Sequence, residues 1–163
     1  MIRKYFLHNK AWVIILSMFT ILILIGLISI PDSIPNKVKK LFFSFVFVFQ
    51  IIWLYVLGTN LTLKLPSKHS MKSNLFRLLS VAAIILFYLW QYFNVGHLFS
   101  FIFLNGSFVY LVYFVSRSLV SAENQKLVGF YDYIGIFYLV WMLPIGVWWL
   151  QPRILKIFNE DFA

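Results

Sequence analysis

The chain has 163 residues, of which 62% are hydrophobic and only 12% are charged. Soluble domains are typically about 45–50% apolar and about 25% charged, so this composition excludes a water-soluble protein and predicts an integral membrane protein. The net charge of +9 does not indicate nucleic-acid binding, because the basic residues lie in short segments between apolar runs, where they set topology and contact anionic lipids. Since the sequence contains no cysteine, disulfides and thiolate sites are excluded.

Five apolar runs are each long enough to cross a bilayer, which takes about 20 helical residues. They predict an all-α, polytopic membrane fold in a single domain over residues 1–163, with spans one to five at residues 11–30, 41–58, 75–93, 98–115 and 132–151. Span one follows basic residues, as the core of a signal peptide does. It is longer than such a core and no cleavage site follows it, so we interpret it as a transmembrane helix.

Span four is interrupted by a strong turn signal. Asn105 and Gly106 lie near its midpoint, and an Asn-Gly pair favours a turn. A broken or re-entrant segment here is an alternative that would reduce the number of spans to four. Irregular backbone of this kind is tolerated in a membrane only where protein or water covers it.

The basic residues predict an orientation. In the five-span arrangement nine Lys and Arg residues lie on the side of the N-terminus and five on the other side. Because cytoplasmic segments are enriched in Lys and Arg, this distribution favours a cytoplasmic N-terminus and an outside C-terminus. The richness in Phe, Ile, Lys and Asn is typical of an AT-rich bacterial genome, and we therefore expect a multi-pass protein of the cell inner membrane.

Span five carries the most specific pattern. Aromatic residues crowd both of its ends, as in the belts that anchor helices at membrane–water boundaries. Pro144 is expected to kink the helix, because its ring removes one backbone donor. Gly135 and Gly146 fall near one helical face and are expected to point into the protein, while Trp148 faces lipid.

The run from Phe137 to Ile154, which reads FYLVWMLPIGVWWLQPRI, resembles the terminal span of small uncharacterised multi-spanning membrane proteins of Bacteroidota-type bacteria. The resemblance covers about the last fifth of the chain. It implies a multi-spanning helical fold, but it implies no activity and transfers no functional residue.

Several polar or small residues are candidates for contact with a ligand or partner. Gln50 and Asn105 are amides inside spans, which either line a polar path or hydrogen-bond between helices. Asp132 is a carboxylate at the edge of span five, placed either for function or to stabilise a helix N-terminus. Arg153 suits a lipid phosphate, a partner carboxylate or a simple anchoring role. The complete set of candidates is Gln50, Asn105, Asp132, Gly135, Pro144, Gly146, Gln151 and Arg153.

The sequence predicts no catalytic residues, no metal site and no cofactor. Its three histidines are not spaced as metal ligands, and no serine lies in a nucleophile motif. This favours a non-enzymatic subunit that contacts membrane lipids and acts through a protein partner or as a homo-oligomer, as an accessory, sensory or immunity component of an envelope system. The main alternative is an oligomeric transporter, channel or pore-forming protein, and a third is an intramembrane enzyme acting on lipid.

Overall fold

The computed structural model describes residues 36–65, 73–93 and 97–159, and the regular structure in these ranges is α-helical. The helices are α1 (Asn36–Lys64), α2 (Ser73–Phe93), α3 (His97–Asn124), α4 (Phe130–Trp141) and α5 (Leu143–Asn159). Three of them, α1 to α3, are long and apolar enough to cross a membrane. The predicted span one, residues 11–30, lies outside the described residues.

The three long helices correspond to predicted spans two to four. The structure confirms that span four is continuous, so the alternative of a break at Asn105-Gly106 is wrong. A helix satisfies its own backbone groups, which an apolar surrounding cannot do, and this requirement overrides the local turn propensity. The Asn105 side chain follows the helix as well, since its Nδ2 donates to the carbonyl of Phe101 over 2.7 Å.

Helix α3 is the centre of the fold and packs against the other four helices. Phe114 of α3 stacks on Phe76 of α2, with ring centroids 4.3 Å apart. Gly58 of α1 makes room for this stack, because a Cβ at Gly58 would lie 2.6 Å from the Phe76 ring. The three helices therefore meet closely at a point where α1 has no side chain.

The first two long helices run antiparallel and define two ends of the molecule. At the end that we call the Lys40 end, Lys40 and Ser44 of α1 contact Gln91 near the end of α2. At the opposite end, which we call the Lys64 end, α1 and α3 finish and α5 returns, so that Lys64, Glu123, Arg153 and Lys156 surround one cavity. The larger core cluster contains buried residues of all five helices. A smaller cluster of Ala83, Phe87 and Leu104 joins α2 to α3, and Phe47 of α1 packs against it.

The predicted span five is two short helices rather than one long helix. Helix α4 has 12 residues and ends at Trp141, and the backbone of the next residue, Met142, is not helical (φ −85°, ψ 46°). Pro144 is the second residue of α5, and a proline is tolerated in the first turn of a helix because the N–H groups there have no partner within the helix. In a continuous helix the N–H of residue 144 would bond the Val140 carbonyl, and proline has no N–H for that bond. At ~1.5 Å per residue, α4 is about 18 Å long, which is little more than half of a bilayer core.

Helix α5 turns back toward the end at which α4 began. Gly146 lies so close to the Leu139 carbonyl that any Cβ there would overlap it. Near the end of α5 the ring of Phe158 lies 5.4 Å from Nζ of Lys64. The end of α5 therefore lies beside the end of α1, whereas a straight crossing by span five would separate these two ends by a bilayer core of about 30 Å.

The packing of the small residues in this hairpin agrees only partly with the sequence-based expectation. Gly146 is buried and Trp148 is exposed, as predicted. Gly135, which was expected to face inward with Gly146, is exposed and has open space around it. The expectation assumed one continuous helix, and the break at Met142 rotates the two glycines away from a common face.

We expect Gly146→Ala to destabilise the protein by roughly 2 kcal/mol, because the methyl group overlaps backbone that cannot move without opening the bend. Gly135→Ala is the matched control, since its methyl group meets nothing within 4 Å. Unfolding of both variants in mild detergent would measure the difference. Equal stability of the two variants would contradict the tight bend.

Candidate functional site

The Lys64 end holds a bidentate ion pair between distant parts of the chain. Nε and Nη2 of Arg153 each lie 2.6 Å from one carboxylate oxygen of Glu123, and the two residues are 30 positions apart. The fork of the guanidinium matches the two carboxylate oxygens, which makes such a pair more directional than a lysine contact. It joins the end of α3 to the middle of α5 and fixes the return of the hairpin.

The local structure of α3 positions Glu123. The helix continues two turns past the predicted end of span four at residue 115, and this brings Glu123 to the Lys64 end. It stops at Gln125, whose φ of 52° is left-handed, as is common just beyond a helix C-terminus. Nε2 of Gln125 donates to the carbonyl of Ala122 over 2.7 Å and so satisfies one of the carbonyls that the helix end leaves open.

A polar cavity of about 580 Å³ opens beside this ion pair, within the range typical of small-molecule sites. Its lining comes from α1, α3, α5 and the residue after α3, and consists of Lys64, Ala122, Glu123, Asn124, Gln125, Arg153, Lys156 and Ile157. Lys64 is held over the Phe158 ring, a cation–π arrangement that orients its ammonium. Three cationic side chains thus meet one carboxylate among the described lining residues.

A second polar group lies between α3 and α4. Nη1 of Arg117 donates to the Tyr113 hydroxyl over 2.7 Å, and the Tyr113 ring contacts Tyr133 edge-to-face at 5.6 Å. Among the described residues, Nε of Arg117 and Oγ of Ser121 are buried without a hydrogen-bond partner. Both residues lie one turn apart on the same face of α3, so this face carries buried polar groups that remain unpaired among the described residues.

At the Lys40 end, a side chain that the sequence did not single out joins α1 to α2. Gln91 accepts from the Ser44 hydroxyl over 2.5 Å and donates to the Lys40 carbonyl over 2.8 Å. Nζ of Lys40 in turn donates to the Gln91 carbonyl over 3.1 Å. These three hydrogen bonds hold α1 against α2, so the polar groups at this end stabilise the contact between the two helices.

Asp132 caps the N-terminus of α4, as the structural one of its two predicted roles requires. It is the third residue of α4, and its Oδ2 accepts from the Gly129 N–H over 2.9 Å. This is half of a capping box, because Gly129 has no side chain to return the bond. The carboxylate also lies at the positive end of the helix dipole.

The structure does not bring the remaining sequence candidates into one site. Gln50 and Gln151 are half-buried on α1 and α5, and Asn105 is exposed on α3. Arg153 alone joins the cavity at the Lys64 end. Its carboxylate partner, Glu123, lies between predicted spans four and five and was not among the candidates. The sequence signal for it is that acidic residues are rare in this chain, with five in total.

Within the described ranges, no group of three or more His, Asp or Glu side chains is placed to hold a metal ion. No family model matches the sequence, and neither a curated protein nor a solved structure is detectably similar to it. The chemistry of the site is therefore inferred from its own geometry.

We expect the Glu123–Arg153 pair to show a coupling free energy of about 1 kcal/mol, as for a partly exposed bidentate pair. Glu123→Gln and Arg153→Gln should each lower the free energy of unfolding, and the double variant should lose little more than either single variant. A double-mutant cycle in mild detergent measures this coupling. Losses that simply add would show that the contact does not stabilise the hairpin.

Proposed function

We propose that the chain is a multi-spanning subunit of a bacterial inner membrane that acts through a protein partner, and that a transmembrane helix of the partner binds the half of α3 that the described helices leave exposed. One observation carries this proposal: a single face of α3 is exposed along its first half and buried along its second half. The change occurs where the short helix α4 ends.

The face in question is a stripe of residues at helical spacing. Its exposed members are Leu98, Ile102, Asn105 and Val109, and its buried members are Val112, Ser116 and Val120. Helix α4 packs over the buried part, with Tyr133 against Tyr113, and its last residue, Trp141, contacts Phe108 at 5.6 Å. A partner helix on the exposed part would continue the interface that α4 begins.

The exposed part of the stripe suits a protein helix better than lipid. The Asn105 amide donates one N–H to the Phe101 carbonyl. Its oxygen and its second N–H are not hydrogen-bonded within the described residues. Hydrocarbon chains cannot satisfy an amide, whereas a polar side chain on a neighbouring helix can. Gly106, next to it, has nothing within 4 Å of its Cβ position and so permits close approach of another backbone.

The remaining polar contacts described above also favour a subunit over an enzyme. Gln91, Asp132 and the Glu123–Arg153 pair each join or cap helices of this chain. Their groups are engaged in helix contacts and a helix cap, which is consistent with a subunit that acts through a surface such as the exposed α3 face.

We propose that the Lys64 end is cytoplasmic. Among the described residues, six cationic side chains belong to the Lys64 end and three to the Lys40 end. The six are Lys64, Arg77, Arg117, Lys126, Arg153 and Lys156, and the three are Lys37, Lys39 and Lys40. Because the hairpin returns Arg153 and Lys156 to the Lys64 end, the cationic side chains of the described residues favour this orientation.

A second candidate function, an oligomeric transporter or channel, is favoured by the interrupted helix at Met142 together with the buried donors of Arg117 and Ser121. Broken helices and charged groups within membranes often mark transport paths. Ion or solute flux through proteoliposomes that is lost in Arg117→Gln would support this candidate, and absence of any flux would remove it.

We expect a photo-reactive residue at Ile102 to cross-link to a different membrane protein in native membranes, whereas the same residue at Val81, on an exposed face of α2, should cross-link mainly to lipid. Gly106→Leu should abolish the protein adduct with little change in the melting temperature, because a Cβ at this position has nothing within 4 Å. Val81→Phe is the control for added bulk. Lipid adducts alone at Ile102 would contradict the proposal, and an adduct with a second copy of the chain would favour the oligomer.

Thiol labelling tests the proposed orientation, because the chain has no cysteine of its own. In intact cells, a membrane-impermeant maleimide should label Lys37→Cys and should not label Lys126→Cys or Lys156→Cys until the membrane is opened. Labelling of Lys126→Cys and Lys156→Cys from opposite sides would contradict a returning hairpin, and labelling of both from outside would reverse the orientation.

A further inference from the structure

We infer that Arg117 and Tyr133, where α3 contacts α4, bind a phosphate group, carried either by a membrane lipid or by a small soluble phosphate ester. These two residues and Tyr113, which lies between them, form what we call the Arg117 site. The site is independent of the partner that binds the exposed half of α3, since it lies on the half of α3 that α4 covers.

The guanidinium of Arg117 has no carboxylate partner. Its Nη1 donates to the Tyr113 hydroxyl over 2.7 Å, and its Cζ lies 6.0 Å from the centre of the Tyr113 ring. Glu123 is paired with Arg153, and Asp132 caps α4. No carboxylate of the described residues lies within 4 Å of the Arg117 guanidinium. A cation among membrane helices is costly without an anion beside it, so the site favours binding of one.

The Arg117 site keeps hydrogen-bond donors that a ligand can reach. Among the described residues, the buried polar atoms without a partner are Nε of Arg117 and Oγ of Ser121. Nη2 of Arg117 and the Tyr133 hydroxyl also make no hydrogen bond within the described residues, but they do not belong to these buried atoms and are accessible. The Tyr113 hydroxyl accepts from Arg117 and still has its own hydrogen to donate. An excess of donors suits a ligand group that consists of acceptors, as a phosphate does.

The Arg117 site lies at the start of α4. Tyr133 is the fourth residue of α4, and its ring contacts the rings of Tyr113 at 5.6 Å and Phe130 at 5.5 Å. The positive charge of Arg117 acts on the Tyr133 hydroxyl as well, which places the two groups near each other. Phe130 and Tyr131, in the first turn of α4, are exposed, as aromatic residues at a membrane–water boundary are. Lipid phosphates lie at this boundary, so a headgroup is the nearest source of the ligand.

The simpler interpretation is that ordered water satisfies Arg117 and Tyr133, as it does for many polar groups. The two interpretations differ in what the protein retains. A hydrated pair of side chains has no preference for phosphate, whereas a binding site retains a phosphate-bearing molecule and loses it when either donor is removed.

The test uses the full chain in mild detergent, with native mass spectrometry of complexes formed on addition of phosphatidylglycerol or of a galactosyl diacylglycerol with the same acyl chains. The second lipid has no phosphate, so the wild type should retain phosphatidylglycerol preferentially. Arg117→Gln should reduce this retention about tenfold or more, because hydrogen bonds to a charged group are lost. Tyr133→Phe should reduce it about threefold or more with little change in the melting temperature, since the lost hydroxyl makes no hydrogen bond within the described residues.

Lys126→Gln is the matched control, because it removes one positive charge from an exposed side chain at the same end of the molecule. This variant should retain phosphatidylglycerol as the wild type does. Equal retention of the two lipids by the wild type, or unchanged retention in either Arg117→Gln or Tyr133→Phe, would overturn the inference. A loss in Lys126→Gln as large as that in Arg117→Gln would also overturn it, because general attraction by surface charge would then explain the binding.

A second arm identifies the source of the phosphate. Competition by glycerol 1-phosphate at constant ionic strength, with retained phosphatidylglycerol as the readout, would show that the Arg117 site recognises the phosphate ester alone. No competition, with lipid retention still dependent on Arg117 and Tyr133, would identify an intact lipid as the ligand.

Discussion

The close approach of Gly146 to the Leu139 carbonyl determines the arrangement of the Lys64 end. Only a residue without a Cβ allows the first turn of α5 to lie against the last turn of α4. Pro144 is compatible with this bend, because it has no N–H with which to bond the Val140 carbonyl. The result is a helical hairpin in place of a crossing, and it returns Arg153 to Glu123 and Phe158 to Lys64.

The hairpin also determines which part of α3 the described helices leave exposed. Helix α4 reaches only to Phe108, so the Lys40 half of α3 exposes an amide and a glycine that a full-length neighbour would have covered. In an apolar surrounding, an amide that is only partly bonded favours a protein neighbour over lipid. The proposed partner interface is therefore a consequence of the same bend that assembles the cavity at the other end.

The sequence predicted the long helices because apolar length is a direct signal. Span three, at residues 75–93, matches α2 to within two residues. The ends of α1 and α3 were predicted too early, since Thr59, Asn60 and the residues after Val115 are polar but remain compatible with a helix. Apolar runs show where a helix meets lipid, and the helix itself can continue into the headgroup region.

The direction of the chain after Pro144 could not be predicted. A proline indicates that a helix is interrupted, but packing decides whether the chain continues across or returns. The contacts that hold the return, such as Arg153 with Glu123, join residues 30 positions apart and leave no periodic pattern. Gln91 was missed for the same reason, because its partner Ser44 is 47 positions away. The exposure of Gly135 likewise depends on the break at Met142, which helical periodicity does not reveal.

The distance between the two sides of the hairpin tests the central claim most directly. Spin labels at Lys126→Cys and Lys156→Cys, in the otherwise cysteine-free chain, can be measured by pulsed electron paramagnetic resonance in lipid bilayers. Because Lys156 lines the same cavity as Gln125, the expected distance is below about 20 Å, well short of the ~30 Å thickness of a bilayer core. A distance above about 30 Å would mean that residues 132–151 cross the membrane and that the hairpin does not form there.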